Sequence, residues 1–459
     1  MQMDESLNFL KLFNNMQRIM IKIRMQKFDT GQMKKIGALL VALIWLTTLE
    51  AQNIFASLND TATISKFEAP SAAAPVMAKK WNQIHTKWFN LNFGAAFILD
   101  HNILSQNAEN IQQVGKVDAG TEFRGERLMV SGNILLFKNP WRYMVSANFN
   151  GLDAEPGSKK FDFIDWNLEI PFNGNAGWIT LGKQKEGVGM EYVAPGTQLG
   201  FMERGSGVPM FVRQRNIGIR YSNSVLNNRL AYTVGVFNNY WETGKSFSAN
   251  GSQYTFRITG LPQYVSDRNL MHIGFGFRHT DATDGKLSYK AKPEANTAPS
   301  FISTGSFDAD AANTLMFEWL KVNGPVMVVA EYMNTAVKSV SKGNPRFDYF
   351  QLGGSWFLTG ENRRYNKQNG NLGKLMPKKN FKFRKGTGPG AFELGARYTY
   401  ASADDALVSG GVFKRFTTAL SWYPNAHFRY EINYGYGGLN KNNLLGNSSF
   451  WQFRIQFEL

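Results

Sequence analysis

Cysteine is absent from all 459 residues. That excludes disulfides, thiolate metal sites, thiol nucleophiles and iron–sulfur clusters. Histidine is scarce: only His85, His101, His272, His279 and His427 occur. None stands in an HExxH or similar ligand spacing, so metal catalysis is not expected. No Gly-x-Ser-x-Gly elbow occurs either. Gly274-Phe275-Gly276 belongs to a two-faced extended stretch, not to a dinucleotide loop. No enzyme and no cofactor are expected, although a dispersed nucleophile and base would leave no sequence trace. Long apolar runs are also lacking. The longest, Ile36 to Leu49, falls short of the roughly 20 residues a helix needs to cross a bilayer. No amphipathic helix of three turns or more follows residue 87.

That apolar run has another use. Met33-Lys34-Lys35 precedes it and Glu50-Ala51-Gln52 follows, the layout of a secretory signal peptide cleaved after Ala51. Residues 33–51 are therefore expected to be a signal peptide. Residues 1–32 are read as an upstream mis-start or a leader extension. Residues 52–86 contain Ala69-Pro70-Ser71-Ala72-Ala73-Ala74-Pro75 and are expected to be a flexible periplasmic linker.

From Lys87 onward the chain alternates. Trp451, Phe453, Ile455, Phe457 and Leu459 fall on one face, and Gln452, Arg454, Gln456 and Glu458 on the other. A strand sends successive side chains to opposite sides, so one face suits lipid and the other water. Outer-membrane proteins commonly end on an aromatic residue; here Phe457 lies two residues before the end. The same pattern recurs at Trp141–Phe149, Ile164–Ile170, Met271–Phe277, Phe350–Leu358, Phe392–Tyr400 and Phe428–Tyr436. Noisier stretches lie around 90, 128, 180, 217, 232, 256, 288, 317, 328 and 418. That makes about 17 candidates. Closed bacterial barrels use even strand numbers, so about 16 are expected. The fold class is all-β, a transmembrane antiparallel β-barrel over 87–459. A soluble sandwich or solenoid would also alternate. It would not need apolar rows on so many consecutive strands, and no fixed repeat of 20–50 residues occurs.

The chain carries 51 Lys+Arg against 35 Asp+Glu. Residues 1–51 hold seven basic and four acidic side chains, which leaves 44 against 31, or +13, after them. Such an excess points to an anionic partner. Nucleic acid is excluded by export and by the lack of any nucleic-acid module. Small anions and the anionic outer leaflet remain. Three stretches are too long for turns: Gly187–Phe211, Asn296–Asn313 and Gly360–Gly390. The last holds nine basic residues and one acid. Long barrel loops lie on the outside. Read there, the basic run is an anion funnel, a binder of lipopolysaccharide phosphates, or a solvated loop, with the last two preferred.

Four motifs resemble the phosphate-selective porin O and P family. Leu181-Gly182-Lys183-Gln184-Lys185-Glu186, followed by Phe201-Met202-Glu203-Arg204, is similar to its L-G-Q-F-K-E-P-F and M-E-R. Phe357-Leu358-Thr359-Gly360-Glu361-Asn362-Arg363-Arg364-Tyr365 is similar to its F-L-T-G-E-x-R-x-Y. Gly390 to Tyr398 resembles G-A-W-E-L-A-A-R-Y, and Lys292-Pro293-Glu294 a mid-barrel P-E. Gly187 replaces the proline of K-E-P, and Gly205 the usual serine after M-E-R. The resemblance implies a 16-stranded porin, usually a homotrimer, with Arg and Lys along an anion path. It also implies that an inward-folded loop, here Gly187–Phe211, narrows the pore. Phosphate or chloride is the implied solute, in an outer membrane with lipid and lipopolysaccharide around the barrel.

Alternation selects lumen candidates independently. Arg142, Arg278, Arg397, Arg429 and Arg454 lie opposite apolar rows. Arg127 and Arg220 share faces with Ser131 and Asn133, and with Asn216. Lys185 and Arg204 carry over from the family motif. Arg213 and Arg215 sit where the loop rejoins the wall. Two readings stay open for each wall arginine: contact with the ion, or pairing with a lumen acid, for which Glu393, Glu431 and Glu458 are available to Arg397, Arg429 and Arg454. A weakly selective porin and an envelope scaffold with a blocked lumen are the alternatives to an anion channel.

Overall fold

The structure is a computed structural model that describes residues 81–149, 161–174, 176–212, 215–239, 246–381 and 388–459. The expected signal peptide, the residues before it, most of the expected linker, and Arg213 lie outside those residues. Within the expected linker, β1 (Gln83–His85) pairs with Asn90–Asn92.

The strands that follow are β2 (Phe89–Gln106), β3 (Gly120–Ile134), β4 (Trp141–Phe149), β5 (Phe161–Pro171), β6 (Trp178–Gln184), β7 (Asn216–Val225), β8 (Leu230–Asn238), β9 (Ser252–Ser266) and β10 (Asn269–Asp281). Then come β11 (Lys286–Ala291), β12 (Ile302–Asp308), β13 (Ala311–Asn323), β14 (Val326–Lys338), β15 (Arg346–Phe357), β16 (Tyr365–Asn366) and β17 (Asn371–Leu372). The last are β18 (Ala391–Asp405), β19 (Val408–Tyr423), β20 (Phe428–Lys441) and β21 (Leu444–Glu458). Sixteen of these, all but β1, β11, β12, β16 and β17, form one closed antiparallel wall, to whose sheet β1 adds through β2. It closes where β21 pairs with β2, with Phe97 opposite Phe457 and Asp100 opposite Arg454. Closure leaves the wall without an open edge, so its strands pair with one another rather than facing hydrocarbon unpaired. No helix among the described residues is long and apolar enough to cross a membrane.

The alternation read from the sequence is the inside–outside division of this wall. Trp451, Phe453 and Ile455 are 48%, 38% and 49% exposed, whereas Gln452, Arg454 and Gln456 are 1%, 3% and 4% exposed. Tight hairpins join long strands: Asn442 and Asn443 between β20 and β21 both take left-handed φ, 53° and 61°, as a two-residue type I′ turn requires.

Two expectations are corrected. The surplus strand is the stretch around 288. It is β11, which pairs only with β12; much of the expected loop 296–313 is β12 and the start of β13. The basic segment between β15 and β18, described over 358–381 and 388–390, is also misplaced. It joins β15 to β18, at the end where β2 begins and β21 finishes. The other connections at that end, such as 226–229, 267–268 and 324–325, are short. Barrels of this kind keep short turns on the periplasmic side. Length alone mis-sorts this loop; strand parity sorts it.

Candidate functional site

The inner wall is not uniformly open. Inward side chains from β9 round to β21, including Arg257, Glu318, Gln351, Arg397, Glu431 and Gln452, are buried. Inward residues of β2 to β5, such as Asn92, Arg127, Met129, Asp165 and Asn167, keep part of their surface free.

Three segments make the difference. The first, described over 185–212 and at 215, follows α1 (Ala108–Val114) of the β2–β3 connection in chain order and includes α2 (Met190–Val193) and α3 (Gly207–Phe211). Its carbonyls meet inward side chains: Arg454 Nη1 donates to Met202 O (2.6 Å), Arg429 Nη1 to Leu199 O (2.7 Å) and Gln456 Nε2 to Thr197 O (2.9 Å). The second carries the β11–β12 hairpin. Its Phe301, Ile302 and Phe307 join Phe347, Phe413 and Phe450 of the wall in one apolar cluster. The third, 358–375, enters from the opposite end. Arg257 donates to the carbonyls of Asn369 and Gly370, both at 2.7 Å, and Tyr365 bonds His272 at 2.5 Å.

Against the first two segments lies a cavity of about 240 Å³. Arg124, Lys185, Arg204, Arg215, Lys290 and Lys292 line it, with only Glu203 and Glu294 as acids. Some cations are locally balanced. Arg124 holds Glu203 through Nε (2.7 Å) and Nη2 (3.1 Å). Arg215 forks onto Asp165 at 3.1 and 3.3 Å. Burial pushes the Glu203 carboxyl up, but Arg124 and Arg454 outweigh it and hold it at about 2.

Lys185 and Arg204 are not balanced by a carboxylate in this way. Lys185 Nζ donates to the carbonyls of Tyr192, Val193 and Ala194 at 2.9, 3.0 and 2.6 Å. Arg204 donates to Glu191 O (3.0 Å) and Ala194 O (2.7 Å). Both therefore clamp the turn after α2 while presenting charge to the cavity. Burial, then Arg204 and Arg215, push the Lys185 ammonium well below the lysine range. Arg127, on β3, lies within electrostatic reach of Arg215, Asp165, Arg124 and Arg204. Its Nε is buried with no partner among the described residues, and it forms no ion pair there.

The remaining described candidates all have partners within the protein. Arg278 forks onto Glu186 at 2.5 and 3.0 Å. Arg397 bridges Glu191 (3.0 Å) and Glu294 (2.6 Å). Arg429 pairs Glu431 at 2.6 Å, as alternation suggested. Arg142 pairs Glu169 near the short-turn end, and Arg220 donates to Lys185 O at 3.1 Å. Two suggested pairings are corrected. Glu393 binds Arg363 at 2.7 Å rather than Arg397. Arg454 binds Asp100 at 2.6 Å rather than Glu458. The partners come from an inserted segment and from the closing strand, neither of which alternation reveals.

Sequence reasoning missed Arg124, Lys290 and Lys292 as site residues. Arg124 is three residues from Arg127, so strict alternation sends them to opposite faces. A bulge removes that conflict: Ile98 pairs with Gly125 and Leu99 with Phe123, leaving Arg124 extra. Lys292 stood in a quoted motif without a role. The four motifs meet inside the barrel. Arg363 joins Glu393; Arg397 joins Glu294 and the Glu203 carbonyl; Glu294 Oε1 accepts from Ser206 N. Both departures also have local causes. Gly187 has φ 81°, which proline cannot adopt. A Cβ on Gly205 would collide with the Tyr349 hydroxyl.

A closed sixteen-stranded wall with a loop-filled, cation-lined interior defines an outer-membrane porin. The chain belongs to the phosphate-selective porin O and P family, which matches residues 102–458. An uncharacterised protein of Caulobacter vibrioides is 26% identical over 270 residues, which cover 56% of this chain and 53% of that one; the chain thus spans about half the length of this curated relative. Among solved structures, a loop-deletion mutant of OmpT, an outer membrane protein of Vibrio cholerae, has a TM-score of 0.52 at 11% identity, over 81% of this chain and 99% of that one. The anion-selective porin from Comamonas acidovorans has a TM-score of 0.50 at 12% identity, over 81% and 100%. At such identities the likeness is one of fold.

Proposed function

We propose that this chain is a passive anion-selective diffusion channel whose preferred solute is phosphate or a related oxyanion. The observation that carries the reading is the excess of six cations over two acids around one cavity, with Arg127 nearby and unpaired among the described residues. An anion entering a narrow pore loses water and needs donors and positive charge in exchange. Guanidinium forks offer two parallel hydrogen bonds to adjacent oxyanion oxygens. Conduction also needs sites weak enough to release the ion, and the partly balanced Arg124 and Arg215 suit that. Segment 187–211 acts as the constriction. Lys185 and Arg204 contribute charge while holding that segment in place. The barrel assembles as a homotrimer surrounded by outer-membrane lipid and lipopolysaccharide, a reading that rests on the family.

A second reading is favoured by the buried inner wall: a scaffold whose lumen is blocked from both ends. Planar-bilayer recording of the purified protein separates the two. Stepwise currents with reversal potentials favouring chloride over potassium, and chloride current blocked by millimolar or lower phosphate, are expected. A folded barrel that gives no conductance would establish the scaffold instead. Conductance without anion preference would reduce the protein to a general porin.

A further inference from the structure

The rows of inward residues change character towards the short-turn end. Backbone register sets Arg127 beside Asn148, and the next row runs Met129, Ser146, Asp165. Beyond it come Asn92, Ser131, Met144 and Asn167, and then Asn90, Asn133, Arg142 and Glu169. Over β2 to β5 the only formal charges in these last two rows, Arg142 and Glu169, neutralise each other as an ion pair; where the last row continues through Thr180 to Arg220, that guanidinium is turned to the Lys185 carbonyl of the first segment. The rest is carboxamide, hydroxyl and thioether. Asn90, Asn92, Asn133 and Asn167 each keep part of their surface free. Their existing bonds are few: Asn133 Nδ2 donates to Asn90 Oδ1 at 3.1 Å, Asn92 Nδ2 to Ser131 O at 3.4 Å, and Asn167 Nδ2 to Lys183 O at 3.5 Å.

We infer that these two rows form a neutral exit segment, in which Asn90, Asn92, Asn133 and Asn167 set how fast an oxyanion leaves the cationic cavity towards the short-turn end. The inference rests on the anion-channel reading. An anion held by several positive charges escapes slowly unless its next contacts replace lost hydration without adding attraction. Carboxamide N–H groups meet that need. They donate hydrogen bonds but carry no charge, so they lower the dehydration barrier without deepening the well. A further set of cations here would extend the trap.

The test is phosphate block of single-channel chloride current at both voltage polarities. In the double variant Asn92→Leu/Asn167→Leu, blocked events should lengthen at least threefold when voltage drives phosphate towards the short-turn end. They should be unchanged when it is driven back towards the long-loop end. Single variants Asn92→Ala and Asn167→Ala, which add no bulk, serve if the double variant does not assemble, and should shift the same polarity. Lifetimes that change equally at both polarities, or at neither, overturn the inference. Wild-type reversal potential is measured on the same membranes. Loss of anion preference there would strike the channel reading, whereas retained preference with no sided effect strikes only the exit segment.

Discussion

Replacing Arg127 by alanine separates pore charge from loop architecture. Arg204 cannot do so, because its guanidinium also ties the carbonyls of Glu191 and Ala194. Its removal would release the loop. Arg127 has no ion pair among the described residues, so its loss strands no carboxylate. A unit charge about 4 Å from an anion is worth roughly 4 kcal/mol at an effective dielectric of about 20. Mobile counter-ions and water along an open wall reduce this. A working value of about 1–2 kcal/mol corresponds to roughly a five- to thirty-fold fall in anion occupancy. Phosphate should therefore block chloride current only at five- to thirty-fold higher concentration in Arg127→Ala, with reversal potentials moving towards zero. Arg127→Lys keeps the charge and loses the fork, so it should restore the reversal potential more fully than the phosphate block. A correctly folded Arg127→Ala barrel with wild-type block and wild-type reversal potential would refute the placement of the anion beside this residue.

Arg397→Ala removes the cation between Glu191 and Glu294. Breaking such a buried network should cost about 3–5 kcal/mol, read as a lower urea midpoint by tryptophan fluorescence, whereas Lys290→Ala at the exposed rim should leave it unchanged. Deleting residues 362–375 uncovers the inward cluster of Arg257, His272 and Glu318 and should raise single-channel conductance at least twofold; an unchanged step would show that this segment closes no path. Glu203 is held at about 2 despite burial, because Arg124 and Arg454 favour its charged form. Its stabilising contribution is thus complete above the ordinary carboxyl range near 4.3 and is lost progressively as pH falls from there through about 2. Glu203 should consequently add no step to anion preference between pH 7 and about 4, and a step near pH 4.5 that Glu203→Gln abolishes would contradict the pairing.

The motif residues gave the site its members but not its arrangement. Lys185, Glu203, Arg204, Glu294, Arg363 and Arg397 were all quoted from the sequence. Their convergence arises because separate segments fold into one lumen, across more than 200 positions of chain. Arg124 was invisible because a single bulge shifts the face it occupies. The basic run, described up to Phe381, was read at the wrong end because it was sorted by length, whereas the parity of the wall strands puts it with the short turns.

Alternation by itself determined which side chains share a face along most strands, and its recurrence over so many consecutive strands pointed to a barrel. That follows from local geometry, since neighbouring side chains on an extended backbone must point apart. Which inward arginines are neutralised, which wall stays open, and where positive charge is left over were decided only by closure of β21 on β2 and by the three segments packed inside. Those contacts join residues far apart in sequence, and electrostatics depends on distance in space.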